Sequence, residues 1–535
     1  MKKLLALLLA LVMVLAMVGC SSGTKDNDNS SSVTVNAGDN TLNTETEATW
    51  DTSKQDEIVL SVMNNYYTSG WEKMAEEYMK LHPETTVTID VVADNDTLIQ
   101  KFATWFASDD LTDAADITHI NFSGNVGGTD GLLQKNQIVD FTSLLDTVNP
   151  YTGTTVRSYL EDADIQSYTG SYGMYALPFD HVAVAIMVNK TLLEKNNLSV
   201  PTTMEEFIDC CAKLKEAGVE TPILATPEGA YFISALGDAA MRDMYGDFLV
   251  QTTDGLYNED TMAANATYKY DPNNPACDKD IKLSGERIAI YNTENDFNTE
   301  IGKSIWTEYA KLAPYFNENF MASSSTEVLS SFELQNGAFL ISGSWNVGVL
   351  NSDVQEMGDD GFEWETIAFP SYATKPEGWA TGKIRSLYVM GNTMGIIKTH
   401  GDDEDHLNRV IDFYLYCYNP VGCATMYETT LNDGYFVQGN AAIKGVELPA
   451  DIAAKLEGFI QEAPMRSDLD STYGKEYCMS EDKGTYMDAL NKLASGEVSV
   501  DEFVEILRPL CRTKLADDIE MNGYDMDPAT KDQMK

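Results

Sequence analysis

The chain has 535 residues, 43% of them hydrophobic, with 84 acidic side chains against 36 basic ones and a formal charge of −48. At roughly 100–200 residues per domain, that length leaves room for two or more cores. Charge of this sign repels nucleic acid and anionic lipid, so neither is an expected partner; spread over the whole chain, it serves solubility and says little about any one pocket.

In chain order, a basic start at Lys2 and Lys3 precedes an apolar run from Leu4 to Val18, too short to span a bilayer comfortably, and Gly19-Cys20 closes it ahead of Ser21, Ser22 and Gly23. This arrangement resembles the lipobox of bacterial lipoproteins, although Met17 and Val18 stand where that pattern usually has leucine and a small residue. The resemblance implies that residues 1–19 are a lipoprotein signal peptide and that Cys20 is lipidated, more than one acyl chain giving stable anchoring where a single chain is marginal. Residues 20–55 are Ser, Thr, Asn, Asp and Glu with few large apolar side chains, so a disordered acidic and polar tether is expected there. No later stretch approaches the 18 apolar residues of a membrane span.

Ile58 to Val62 reads as a buried strand, followed by a helix from Trp71 whose Ser69 and Glu72 have capping-box spacing and whose Trp71, Met74, Ala75 and Tyr78 share a face. Val87, Ile89 and Val91 alternate as a strand, Leu98, Phe102 and Phe106 line a helix, and Ile117 to Phe122 is a third strand. Strands alternating with helices imply a parallel sheet covered on both faces, with ligands beyond the carboxyl ends of the strands. Those ends are the loops at Asn64 to Tyr67 and Asn121 to Asp130.

Tyr175 to Pro178 is a short apolar run closed by proline, which cannot donate to a ladder. Phe179, Asp180 and His181 then turn the chain polar before Val182 to Val188 enters a second sheet, a pattern that suits a hinge. After Asn189, Lys190, Leu192 and Leu193, the run Pro201-Thr202-Thr203 opens a helix. Thr203 and Glu206 have capping-box spacing, Met204, Phe207, Ile208, Cys211 and Leu214 recur at helical intervals, and Gly218 sits where a left-handed cap would end it.

This ordered set, with Leu177, Pro178, Glu205 and Glu206, resembles the extracellular solute-binding proteins of ABC importers, in the carbohydrate-type branch that includes maltose-binding protein. Matching stretches at GLLQKNQIVDFTSLL from Gly131, FELQNGAFLISGSW from Phe332 and LASGEVSVDEF from Leu493 extend the resemblance over most of residues 57–515. It implies an α/β, two-lobed periplasmic-binding-protein-like fold, each lobe a mainly parallel sheet flanked by helices, joined by three hinge crossings. The crossings fall at Phe179 to His181, Trp364 to Pro370 and Asp433 to Phe436. The N-lobe then comprises residues 56–178 and 371–432, the C-lobe residues 182–368 and 433–520, with a tail over 521–535.

The resemblance further implies a monomer that binds a carbohydrate, presents it to an ABC permease, needs no cofactor, touches the membrane only through its anchor and catalyses nothing. A sugar needs flat aromatic faces against its C–H surfaces and polar side chains for its hydroxyls, because a buried, unpaired hydroxyl costs about 1–3 kcal/mol. Side chains of those types at strand ends and crossings are Tyr66, Tyr67, Asn121, Phe122, Asp180, His181, Glu228, Tyr231, Trp345, Trp379 and Arg385. A surface-anchored glycosidase is the competing reading, since it needs only two suitably spaced carboxylates; a binding protein for a peptide or polyamine is a third.

Other motifs fail on spacing. Gly302-Lys303-Ser304 lacks the glycine of a phosphate loop, because residue 297 is Phe; there is no GxSxG elbow and no HExxH, and Asp402 to Asp405 lacks the spacing of a calcium hand. Seven cysteines follow Cys20 without a CxxC, so no structural metal is expected, and Cys417 with Cys423 is the one close pair that invites a test for a disulfide.

Overall fold

The computed structural model describes residues 33–527 apart from 65, 109, 392, 402, 436 and 478–481. Cys20, the expected signal peptide and the end of the expected C-terminal tail therefore lie outside the described residues. Strand β1 (Asp56–Met63) leads into helix α1 (Thr68–Leu81), strand β2 (Thr85–Val92), helix α2 (Asn95–Trp105) and strand β3 (Ile117–His119). β1 pairs in parallel with β2 and β3, as the alternation of strands and helices predicts. Ile58, Leu60 and Val62 point to one core and Met63 to another, so both faces of this sheet are covered. The capping box foreseen at Ser69 does not form: helix α1 starts two residues earlier than that cap requires, and Tyr67 at its N-cap takes the left-handed conformation with φ 57°.

The second sheet is organised around a ten-residue strand, β4 (Asp180–Asn189). Ala183, Ala185 and Met187 face the core shared with the first sheet, while Val184, Ile186 and Val188 face the opposite core, so β4 is buried on both sides. Helix α3 (Met204–Glu216) and strand β5 (Ile223–Ala225) follow, then helix α4 (Ala230–Met241), strand β6 (Phe339–Gly343) and strand β7 (Trp364–Ile367). Thr203 caps α3 through its hydroxyl, but Glu206 reaches Thr202 rather than closing the box on Thr203. Among the described strands of this sheet only β5 and β6 pair in parallel; β4 runs antiparallel to β6 and β7. The expectation of a mainly parallel second sheet is thus corrected. β4 carries the chain from the hinge to Asn189, and β6 runs back toward the crossings, with Phe339 opposite Val188 and Gly343 opposite Val184, so the two strands oppose each other.

Strands β8 (Tyr388–Met390) and β9 (Met394–Ile396) are adjacent in sequence yet join different sheets: β8 pairs with β4, and β9 pairs with β3. The second crossing therefore lies between Met390 and Met394, not at Trp364 to Pro370, which β7 holds inside the second sheet against β4. Residues 371–387, assigned by sequence to the N-lobe, pack with the second core: Trp379 belongs to it, and Ala380 N donates to Ala240 O at 3.0 Å. Helices α5 (Glu404–Cys417) and α6 (Pro420–Asn432) return to the first core, and β10 (Asn440–Ala441) completes the third crossing by pairing with β4. A final helix, α7 (Val500–Asn522), starts at a complete capping box of Ser499 and Glu502.

Three further expectations are revised. Tyr175 to Pro178 forms no strand, because its backbone is taken by loop partners: Tyr175 N donates to Tyr168 O and Leu177 N to the Tyr414 hydroxyl. From Val35 onward the expected tether lies against the folded body. Val35 and Trp50 are buried, Asn36 pairs with Glu447, and the Trp50 indole donates to Glu84 at 3.0 Å. Two apolar anchors and a short bridge suffice to order a polar segment that composition alone marks as free. Cys417 and Cys423 are free thiols buried on either side of the α5–α6 turn. Among the described residues no helix is long and apolar enough to cross a membrane.

Candidate functional site

The three crossings meet around the Asp180 carboxylate, which is fully buried. Tyr67 donates its hydroxyl to Asp180 Oδ2 at 2.6 Å and accepts from Gln438 N at 3.1 Å; Ser344 Oγ donates to Gln438 O at 2.6 Å and accepts from Ala183 N at 3.3 Å. One hydrogen-bonded path thus ties the start of α1 in the first sheet, the first crossing, the third crossing and the end of β6 in the second sheet. The backbone of the second crossing joins it, Gly391 N donating to Asp180 O at 3.0 Å. Burial, and then the charge of Asp180, raise the Tyr67 phenol well above its ordinary pKa, so it remains a donor. Its ring stacks on Tyr427 at 5.1 Å and meets Phe179 edge-on at 5.3 Å. Gly439 is where the third crossing presses on the first: a Cβ there would stand 1.7 Å from His181 O.

Around this buried centre lie more accessible side chains. Tyr66 is half-buried, edge-on to His119 at 4.9 Å, and burial with the nearby Asp180 charge pushes its phenol up to about 12. Phe122 meets the same His119 ring at 6.3 Å, and the exposed Asn121 accepts from the Thr393 hydroxyl. The two loops expected to face a ligand on the first sheet are therefore neighbours. His181 is held: one ring nitrogen lies 2.9 Å from Asp164 Oδ1, and the ring stacks on Tyr388 at 4.8 Å.

On the second sheet, Trp345 follows β6 in a single 3-10 turn, half-buried. Its ring folds back over Gly343, where a Cβ would come within 2.2 Å of it, which explains the Gly-x-Trp spacing. Because Ser344 belongs to the hydrogen-bonded path, Trp345 is adjacent to the crossings. Glu228 and Tyr231 stand at the start of α4; one Glu228 carboxylate oxygen is buried without a hydrogen-bond partner, and burial followed by the Glu228 charge raises the Tyr231 phenol. Lys475 lies over the Tyr231 ring, its ammonium 5.9 Å from the centroid, and is itself held by Asp470 and Ser234 at 2.9 and 2.7 Å.

Two of the sequence candidates belong elsewhere. Trp379 is 1% exposed in the second core, donating to Ser304 Oγ at 2.8 Å with its ring against Tyr372. Arg385 is buried in an ionic cluster, its guanidinium forked between Asp238 and Asp278. Both lie on residues 371–387, which the sequence reading assigns to the N-lobe and which pack instead with the second core. Conversely, Gln438, Ser344 and Lys475 were not selected, and neither was Tyr435, a 57% exposed aromatic on the third crossing. For Tyr435 the signal was present, since the crossing itself was read at Asp433 to Phe436; Gln438 and Ser344 act through contacts that no local pattern marks.

The family described as bacterial extracellular solute-binding protein matches residues 64–413 of this chain. No curated protein sequence matches it. Among solved structures, it is similar to a probable secreted solute-binding lipoprotein from Streptomyces coelicolor, at 14% identity and TM-score 0.56, over 86% of this chain and 99% of that one. It is also similar to the GacH receptor of Streptomyces glaucescens, solved unliganded and with acarbose, at 13% identity and TM-score 0.53, over 86% of this chain and all of the other. RafE from Streptococcus pneumoniae aligns at 15% identity and TM-score 0.53, over 86% and 98%, and a further RafE structure holds raffinose.

Proposed function

Since this chain belongs to the bacterial extracellular solute-binding protein family, we propose that it captures a sugar or oligosaccharide between its two sheets and delivers it to an ABC permease. The observation that carries this reading is the path from Asp180 through Tyr67 and Gln438 to Ser344, which joins both sheets at the crossings, with accessible aromatic rings on either side. Tyr66 and Phe122 supply flat faces from the first sheet and Trp345 and Tyr231 from the second; Asn121, Glu228 and the exposed Tyr435 offer groups that pair hydroxyls. A solute touching both sheets favours the arrangement in which they approach, so binding and closure are one population shift. Relatives of this fold solved with raffinose and acarbose support the choice of solute.

The reading is of a binder without bond-making. Asp180 is engaged by the Tyr67 hydroxyl, and the network around it serves to fix the hinge. The chain acts as a monomer at the outer face of the cytoplasmic membrane, held by lipid on Cys20; replacing Cys20 with serine should release it into the medium. A thermal-shift screen against a glycan panel tests the function, because a ligand that binds only the native state raises its stability. Saturable binding of an intact glycan supports it; release of new reducing ends, or stabilisation by peptides or polyamines alone, overturns it.

A further inference from the structure

At the edge of the first sheet remote from the crossings, tertiary folding gathers groups that no sequence spacing links. Asp116, just ahead of β3, and His400 and His406, in and after the turn between β9 and α5, each offer one ligand atom, and these atoms lie within 4.8 Å of one another. Asp116 and His406 are buried, whereas His400 is exposed on the turn. His406 Nε2 stands 2.9 Å from Asp116 Oδ1, and its other ring nitrogen, Nδ1, stands 2.9 Å from Asp56 Oδ2. The His400 and His406 rings are 4.0 Å apart.

We propose that Asp116, His400 and His406 form a three-ligand zinc site that staples the β9–α5 turn to the starts of β1 and β3. Asp56 plays the part a carboxylate takes behind a ligating histidine by accepting from Nδ1; Nε2, which in the metal-free protein faces Asp116 and the Thr399 hydroxyl, binds the metal as the ion displaces its proton and turns that hydroxyl aside. Asp116 is positioned in turn, its Oδ2 accepting from Val59 N at 2.8 Å and its Oδ1 from the Thr399 hydroxyl. Ligands about 2.1 Å from a tetrahedral zinc stand about 3.4 Å apart, so seating the ion asks the 2.9 Å pair to part by about half an ångström. Two imidazoles and one carboxylate suit zinc better than calcium or magnesium, and the exposed side at His400 leaves the fourth position to water. β1 runs from Asp56 beside this cluster to Met63 beside the solute site. Seven strand steps, about 23 Å, separate the two ends, so the metal does not touch a solute.

The test uses the full chain without an affinity tag, stripped with a chelator and titrated with zinc. Expected are one zinc per chain with a Kd below about 10 μM and a thermal midpoint raised by about 2 °C or more in excess zinc. His400 is exposed, so His400→Ala should leave the metal-free midpoint and far-ultraviolet spectrum unchanged while weakening zinc binding at least tenfold. Cobalt in place of zinc should give the intense visible bands of a tetrahedral site in the parent chain and lose them in the variant. Absence of saturable binding overturns the proposal, as does binding of equal strength in His400→Ala, which would place the ion elsewhere.

Discussion

Replacing Arg385 separates a structural role from a binding one. Its guanidinium reaches Asp238 through Nε at 2.9 Å and Nη2 at 2.5 Å, reaches Asp278 at 2.8 and 3.0 Å, and donates to Pro275 O at 2.8 Å. Both carboxylates are inaccessible to solvent. Burial works to raise the Asp238 pKa, but Arg385 and Arg242 together hold it below the usual range. In Arg385→Ala, Asp238 keeps Arg242 at 2.6 Å and the Tyr245 hydroxyl at 2.8 Å, while Asp278 has Arg242 Nε only at 3.9 Å. Removing one partner of a buried ion pair costs about 3–5 kcal/mol, chiefly because the remaining charge has lost its compensation. With a urea dependence of about 3 kcal/mol/M, the unfolding midpoint should fall by about 1–1.7 M. Arg385→Lys, which keeps the charge but loses the planar fork, should fall between the parent and Arg385→Ala. The assay is equilibrium urea unfolding followed by fluorescence, alongside glycan titration well below the unfolding transition. A loss under about 1 kcal/mol, or weakened glycan binding at unchanged stability, would refute this account and return Arg385 to the solute site.

Trp345→Ala should weaken glycan binding by several kcal/mol at most, about 3 kcal/mol, while the thermal midpoint stays nearly unchanged; equal losses in calorimetric titration and melting would make Trp345 a core residue. Glu333 is raised to about 7 by burial and by the neighbouring Asp353 carboxylate. A folded-state pKa above the unfolded value means its contribution to stability is complete below about 4.5 and is lost as pH rises through about 7. Melting curves between those limits should therefore show a decline that Glu333→Gln flattens, and a slope unchanged in the variant would sink the assignment. Burial lowers His119 to about 3, so its contribution is present above 6.5 and lost as pH falls toward 3. Chemical shifts of the His119 ring should accordingly stay those of a neutral imidazole at pH 5, and a protonated ring there would contradict its burial between Tyr66 and Phe122.

Local patterns in the sequence determined much of this protein. Alternation at Val87, Ile89 and Val91 and the helical spacing at Trp71, Met74 and Tyr78 were enough for the parallel β1–β2–β3 sheet. The polar break at Asp180 and His181 marked the first crossing, and the Gly-x-Trp at Gly343 and Trp345 marked the turn that ends β6, because each depends on neighbours a few positions away. What tertiary structure alone decided depends on partners hundreds of residues distant. Trp364 to Ile367 looked like a crossing until β4 took it as a ladder partner, and the true crossing lies between β8 and β9, neighbours in sequence that join different sheets. Trp379 and Arg385 followed that misplacement from the cleft into the core. The Asp180–Tyr67–Gln438–Ser344 path and the Asp116–His400–His406 cluster are likewise invisible in one dimension, since a hydrogen bond or a metal is satisfied by distance in space and places no constraint on separation along the chain.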